Sequence, residues 1–128
     1  MSAQTNKRII QQYLADLSGK PKPREILDRY ISDLDLELKR HIEVFEASFP
    51  CYQFEAKEII AEDDMISVSF VFKGIHKQEF NGFPATNRTV SIPGFISYHM
   101  ENGKIVANDM VVDTLFLMQQ LGVVPEIA

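Results

Sequence analysis

The sequence has a single cysteine and no tryptophan. Because Cys51 has no second cysteine to pair with, a disulfide within the chain and a metal site built on several thiolates are both excluded. No apolar run is long enough to cross a membrane, and no apolar leader follows the first residues. We therefore expect a cytoplasmic location and no contact with a membrane.

Positive charge is also scarce. The chain carries 13 lysines and arginines against 18 aspartates and glutamates, which gives a formal net charge of −5. The basic residues form no cluster that could neutralise a phosphate backbone, so nucleic acid is not an expected partner. The spacing of the histidines and carboxylates does not predict a metal site.

Apolar residues, in contrast, are plentiful. They make up 45% of the 128 residues and include nine phenylalanines, which is enough for a hydrophobic core. The length is that of one domain, so we expect a single domain over residues 1–128.

The first part of the chain has helical spacing. Apolar residues recur on one helical face from Lys7 to Leu17, and Gly19 follows as a stop signal. Lys22-Pro23 predicts the start of a second helix. The second and third apolar stripes are Ile26, Leu27, Tyr30, Ile31 and Leu34, then Leu38, Ile42, Phe45 and Phe49.

After Pro50 the apolar period changes from about 3.6 to 2, which is typical of strands. Clear strands are predicted from Met65 to Phe72, from Thr89 to Met100 and from Ile105 to Val112. Pro93-Gly94 predicts a bend or bulge in the second of these. The chain then predicts a helix over Thr114 to Leu121 with Gly122 as its C-cap.

Helices followed by an antiparallel meander predict an α+β fold, in which a strongly bent sheet wraps around the N-terminal helices and leaves an apolar pocket. His76 follows the strand that starts at Met65. It shares the apolar face if the strand phase continues, but a bulge at Gly74 would turn it to the opposite face.

Several segments in order resemble one known family. They include V-S-F-V-F-K-G-I-H-K-Q-E-F-N-G-F-P from Val68 to Pro84 and Q-Q-L-G from Gln119 to Gly122, with F-E-A-S-F-P upstream from Phe45 to Pro50. Together they make the chain similar to the SnoaL-like polyketide cyclases, also described as ester cyclases, of the nuclear transport factor 2-like superfamily.

The resemblance implies a cone-shaped α+β barrel with an apolar pocket, and a homodimer formed through the sheet. The characterised polyketide cyclases catalyse an intramolecular aldol condensation without a metal or an organic cofactor. Asp113 matches the family's base position, and His76 matches its G-x-H position. Relatives often have a His-Trp pair where this chain has Asn108-Asp109.

Asp113 and His76 are the predicted catalytic residues. In an apolar pocket the pKa of a carboxyl group rises, which improves Asp113 as a base, and an imidazole can polarise or protonate an oxyanion. The alternative for Asp113 is a helix N-cap, and for His76 a hydrogen-bonded structural histidine.

The predicted pocket lining comprises Asp109, Tyr13, Phe70, Phe72 and Val111. Asp109 has the strand parity of Asp113, so the two carboxylates either share the pocket or Asp109 lies at a solvated edge. His41 and His99 are expected to be structural or exposed, although His41 matches the family pattern.

Two functions remain open from the sequence. The first is an enzyme that acts on a small hydrophobic carbonyl compound by general acid and base catalysis, as an aldol-type cyclase or isomerase. The second is a noncatalytic protein of the same fold that binds a hydrophobic ligand or a protein partner. The enzyme is the first hypothesis, and the absence of the His-Trp pair gives the second one weight.

Overall fold

The structure is a computed structural model that describes residues 2–124, and it confirms the predicted α+β fold. Helices come first, and a four-stranded antiparallel sheet follows, with its strands in chain order and the sheet left open. The helices are α1 (Ala3–Leu17), α2 (Arg24–Tyr30), α3 (Leu36–Ser48) and α4 (Thr114–Leu121), with a 3-10 turn at Asp33–Asp35. The strands are β1 (Gln53–Glu62), β2 (Met65–Ile75), β3 (Thr89–Glu101) and β4 (Lys104–Val112).

Side-chain hydrogen bonds explain why the bounds of two helices differ from those that the apolar spacing predicts. Helix α1 begins at Ala3 because the Ser2 hydroxyl accepts a hydrogen bond from the Thr5 backbone N–H at 3.1 Å. Helix α2 ends at Tyr30, before its stripe does. There the Ser32 hydroxyl accepts from the Leu34 N–H and starts the 3-10 turn, which leaves Leu34 exposed.

The Asp35 carboxylate joins the helical half to the sheet. Its Oδ1 accepts a hydrogen bond from the Leu38 N–H at 3.2 Å and so caps α3, while its Oδ2 accepts from the Asn108 side chain on β4 at 2.8 Å. A single buried side chain therefore fixes the start of α3 against the last strand.

The inner face of the sheet is apolar and is covered by the helices. Strand β2 alternates buried and partly exposed residues, as the period of two predicts. Its inward members are Ile66, Val68, Phe70 and Phe72. They share one core with residues of the helices, including Ile10, Leu14, Leu27 and Ile42.

The bulge that was one prediction for Pro93-Gly94 does not occur, because β3 pairs with β2 there without a shift of register. The pairing of β3 with β4 extends only as far as Gly94, which faces Val112. Pro93 therefore has no partner on β4, and its missing N–H costs no hydrogen bond there. The register shifts lie instead between Ala56 and Glu58 in β1 and at His99/Met100 in β3. Gly74 is also regularly paired, which leaves His76 on the inner side.

Helix α4 covers the part of β3 that β4 does not reach. The side chain of Gln120 replaces a strand there, since its Oε1 accepts from the Ser91 N–H at 2.7 Å and its Nε2 donates to the Ser91 carbonyl at 2.9 Å. Gly122 ends the helix with φ of 77°, as predicted, and the Arg88 guanidinium lies where a side chain at Gly122 would stand.

We expect Gln120→Ala to lower the free energy of unfolding by about 1–2 kcal/mol, because both backbone groups of Ser91 lose their partner. Chemical denaturation measures this change. The control is Gln12→Ala on the exposed side of α1, which should change stability by less than about 0.5 kcal/mol. Equal effects of the two substitutions would contradict a structural function of the Gln120 amide.

Candidate functional site

An apolar cavity lies between the helices and the inner face of the sheet. Its volume is about 50 Å³, which leaves room for about four water molecules. Most of its lining is aliphatic or phenylalanine side chains, and the phenylalanines are Phe45, Phe54, Phe70 and Phe72. No aspartate or glutamate of the described residues 2–124 belongs to the lining.

Three residues predicted to line the pocket do line this cavity, namely Tyr13 on α1 and Phe70 and Phe72 on β2. The Phe70 ring stacks on Phe54 with ring centroids 3.9 Å apart. Its position depends on Gly94, because a Cβ atom there would come within 2.5 Å of Phe70 Cζ. The glycine therefore lets an aromatic ring lie across the neighbouring strand.

Asp109 and Val111 lie on the outer face of the sheet, which corrects their predicted place in the pocket. Val111 is 71% exposed, and the Asp109 carboxylate lies 3.3 Å from His99 Nε2, also on the outer face. For β4 the sequence prediction was wrong about which alternate residues face the pocket. On β4 the inward side chains that reach the cavity are Met110 and Val112.

Asp113 caps helix α4. Its side chain is exposed, and Oδ1 accepts a hydrogen bond from the Phe116 N–H at 2.9 Å. This is the N-cap geometry that the sequence left as the alternative, and Asp113 does not line the cavity. A catalytic base at this position stays a prediction.

His76 is fully buried but lies outside the cavity lining. Its Nδ1 accepts a hydrogen bond from the Thr86 N–H at 3.2 Å, so the ring proton belongs on Nε2. Its backbone also bonds to Asn87 and Arg88. His76 therefore fastens the loop between β2 and β3, and its Nε2 has no hydrogen-bond partner among the described residues.

His41, expected from the sequence to be structural or exposed, is the functional candidate that the structure adds. It lies on α3, where Leu38, His41 and Phe45 follow one helical face and all three line the cavity. The sequence signal for it was its spacing, three residues after buried Leu38 and four before partly buried Phe45. The imidazole packs on Phe45 with ring centroids 4.5 Å apart and makes no hydrogen bond within residues 2–124.

Burial lowers the pKa of His41 below its ordinary value of 6.5, and the charge of Glu37 opposes this only in part. At neutral pH the imidazole is therefore uncharged, and a ring nitrogen can accept a proton. His41 is the one histidine among the cavity-lining residues of the described chain.

Three tyrosines line the cavity: Tyr13, Tyr52 and Tyr98. Burial is the main cause that raises the pKa of each phenol above its ordinary value of 10.0. Tyr13 and Tyr98 pack edge to face with ring centroids 5.7 Å apart. The hydrogen bond between their side chains raises the pKa of Tyr13 and opposes the rise for Tyr98. The phenols stay protonated and remain able to donate.

Lys22 places an ammonium group at the cavity wall. Its Nζ donates to Glu46 and the Lys20 carbonyl at 2.8 Å and to the Tyr52 carbonyl at 3.1 Å. It also lies 3.9 Å from the centre of the Tyr52 ring. Desolvation lowers the pKa of Lys22, while Glu46 acts in the opposite direction. With three acceptors bound, this side chain holds Tyr52 in place.

The cavity thus combines a neutral base with neutral donors in apolar surroundings. Such a set can remove a proton next to a carbonyl group and stabilise the enolate oxygen. Within residues 2–124, no three His, Cys, Asp or Glu side chains are grouped as a metal ion requires. None of the described helices has the length and apolar character to span a membrane. The cytoplasmic location stays a prediction.

Comparison with protein families gives one match, to the SnoaL-like polyketide cyclases, over residues 36–121. The chain belongs to this family. The matched segment runs from α3 to the end of α4 and so includes His41 and the whole sheet. No curated protein matches the chain.

Solved structures share the fold of this SnoaL-like chain. AclR of Streptomyces galilaeus, provisionally assigned as a hydroxylase, has a TM-score of 0.85 and 22% identity, over 99% of this chain and 87% of its own. A provisional SnoaL-like polyketide cyclase of Jannaschia sp. CCS1 has a TM-score of 0.84 and 14% identity, over 96% and 95%. At these identities the likeness concerns the fold alone.

We expect the imidazole of His41 to titrate with a pKa below 6.5, because burial in the cavity wall disfavours the charged ring. The measurement is an NMR titration of the histidine ring signals, with His41→Gln to assign the resonance. A pKa at or above 6.5 would contradict a base that is neutral at physiological pH.

Proposed function

We propose that this SnoaL-like protein is an acid–base enzyme that removes a proton next to the carbonyl group of a small hydrophobic compound. An aldol-type ring closure is the reaction that this step serves. The observation that carries the proposal is that the neutral His41 imidazole lines the same apolar cavity as Tyr13 and Tyr98.

The reaction is balanced without a further reactant. The C–H bond next to the carbonyl breaks, the proton goes to the free ring nitrogen of His41, and the bonding electrons form the enolate. The Tyr98 phenol, which is hydrogen-bonded to Tyr13, donates a hydrogen bond to the enolate oxygen, and both phenols keep their protons. The enolate carbon attacks a second carbonyl of the same molecule, and the new alkoxide takes the proton back from His41.

The apolar lining supports this chemistry in two ways. Burial in this lining lowers the pKa of His41, so the imidazole is unprotonated before the reaction. The lining also excludes water from the enolate, so the hydrogen bonds of the phenols are stronger than they would be in solution. The predicted pair of Asp113 and His76 lacks this advantage, because neither side chain lines the cavity.

We expect the protein to accelerate the exchange of α-protons of 1-phenylbutane-1,3-dione in D₂O, followed by proton NMR. His41→Gln should reduce the acceleration by about 10²–10⁴, and Tyr98→Phe, which removes one donor, by about 10²–10³. Asp113→Asn should retain it, because the Asp113 carboxylate faces solvent at the start of α4.

Three outcomes distinguish the candidates. Loss of exchange in Asp113→Asn with retention in His41→Gln would restore the base predicted from sequence. Exchange by the unmodified protein no faster than by buffer would overturn the enzyme proposal. Ligand binding without exchange would then favour the noncatalytic binding protein. His99→Gln, on the outer face, is the control for histidine loss.

We also propose a homodimer through the outer face of the sheet. Ile60, Phe95 and Val111 are 63%, 66% and 71% exposed there. Beside Phe95 lies a groove, here called the serine groove, lined by Glu58, Ile60, Ser67, Val68, Ser69, Phe95, Ile96 and Ser97. In a twofold arrangement each Phe95 ring can enter the serine groove of the other copy, which supports a second copy as the occupant.

We expect sedimentation velocity to show a dimer at micromolar concentration and Phe95→Glu to be a monomer, because the charge would be buried in an apolar contact. Leu34→Glu is the matched control, since Leu34 is 75% exposed on the helical side. A monomeric unmodified protein, or a dimer that survives Phe95→Glu, would contradict this interface.

A further inference from the structure

The cavity is too small for a ligand of ordinary size. Its volume of about 50 Å³ compares with roughly 300–1,000 Å³ for typical small-molecule sites. A groove of about 410 Å³ lies directly outside it, between α3 and β4. This groove, here called the entrance groove, is lined by Glu37, Leu38, His41, Asn108, Asp109, Met110 and Val112.

Four side chains line both spaces and so separate them. Leu38 and His41 extend from α3, and Met110 and Val112 extend from β4. We call these four residues the dividing wall. Each member borders both the cavity and the entrance groove. The proposed base, His41, is part of the dividing wall.

Met110 is the member best suited to move. Its unbranched side chain has three rotatable bonds, whereas Val112 is stiff and Leu38 is buried at the start of a helix. Met110 is only partly buried, so a change of rotamer toward the entrance groove has space. The Asp35–Asn108 hydrogen bond meanwhile keeps α3 and β4 joined at one end of the wall.

We propose that the carbonyl compound reaches the cavity through the dividing wall and that Met110 sets the size limit of the ligand. The carbonyl head occupies the space that Met110 vacates beside His41, and the remainder of the molecule lies in the entrance groove. This inference rests on the proposed function for the chemistry of the ligand, but it concerns binding and not turnover.

The experiment measures binding of ketones of increasing size by calorimetry: cyclohexanone, acetophenone and 2-acetylnaphthalene. Met110→Ala joins the cavity to the entrance groove, so its affinity for 2-acetylnaphthalene should rise at least about tenfold over the unmodified protein. Met110→Val keeps a good strand former and enlarges the opening less, so its effect should be intermediate. Met65→Ala makes the same exchange at an exposed methionine and should change nothing.

A larger gain for the largest ketone in the Met110 variants supports the proposal, also if the unmodified protein binds none of the three. The same affinities in all variants, or no binding by any variant, would overturn it. The binding result is independent of the proton-exchange result. If the Met110 variants bind larger ketones but no variant catalyses proton exchange, the entrance through Met110 is supported and the acid–base enzyme is overturned. If exchange is catalysed but the Met110 variants do not bind larger ketones, the enzyme is supported and the entrance is overturned.

Discussion

The buried carboxylate of Asp35 fixes how far the third helix stands from the last strand. Its two oxygens serve different elements, one capping α3 and the other binding Asn108 on β4. Lys39 strengthens the same corner through Asp28 and Asp33, each at 2.8 Å. With this end of α3 anchored, its inner face stands over the sheet with a gap that side chains only partly fill. The cavity, the position of His41 and the dividing wall all depend on that spacing.

The sheet separates two kinds of surface by the alternation of its side chains. Its inner rows are aromatic and aliphatic and line the cavity, while its outer rows mix serines with exposed apolar residues, among them Ile60, Phe95 and Val111. A shift of one residue in any strand would exchange these rows. The long regular register of β2 with β3 makes such a shift costly, because every pair from Met65 to Ile75 would be lost together. The proposed chemistry on the inner face and the proposed dimer contact on the outer face therefore depend on the same hydrogen-bonded ladder.

Local patterns predicted the fold well because they act over short distances in the chain. The strand at Met65 and the C-cap at Gly122 follow from alternation and from backbone freedom, and both are confirmed. The site was harder to predict. Whether Asp109 or Met110 faces inward depends on the register shift at His99/Met100, which the sequence does not mark. His41 belonged to the buried stripe of α3, but only the packing of β4 opposite it turns that position into a cavity wall.

Gly94 carries a consequence that extends beyond its own strand. The floor of the cavity is the stacked pair of Phe70 and Phe54, and Phe70 can lie there only because Gly94 presents no side chain to its ring edge. The position of this aromatic pair in the cavity lining therefore depends on the missing Cβ atom of Gly94 in the neighbouring strand. Any diversification of ligand preference by substitutions in the aromatic floor is coupled to this position. Gly94 does not line the cavity, but it limits which side chains the fold can accommodate at the position of Phe70.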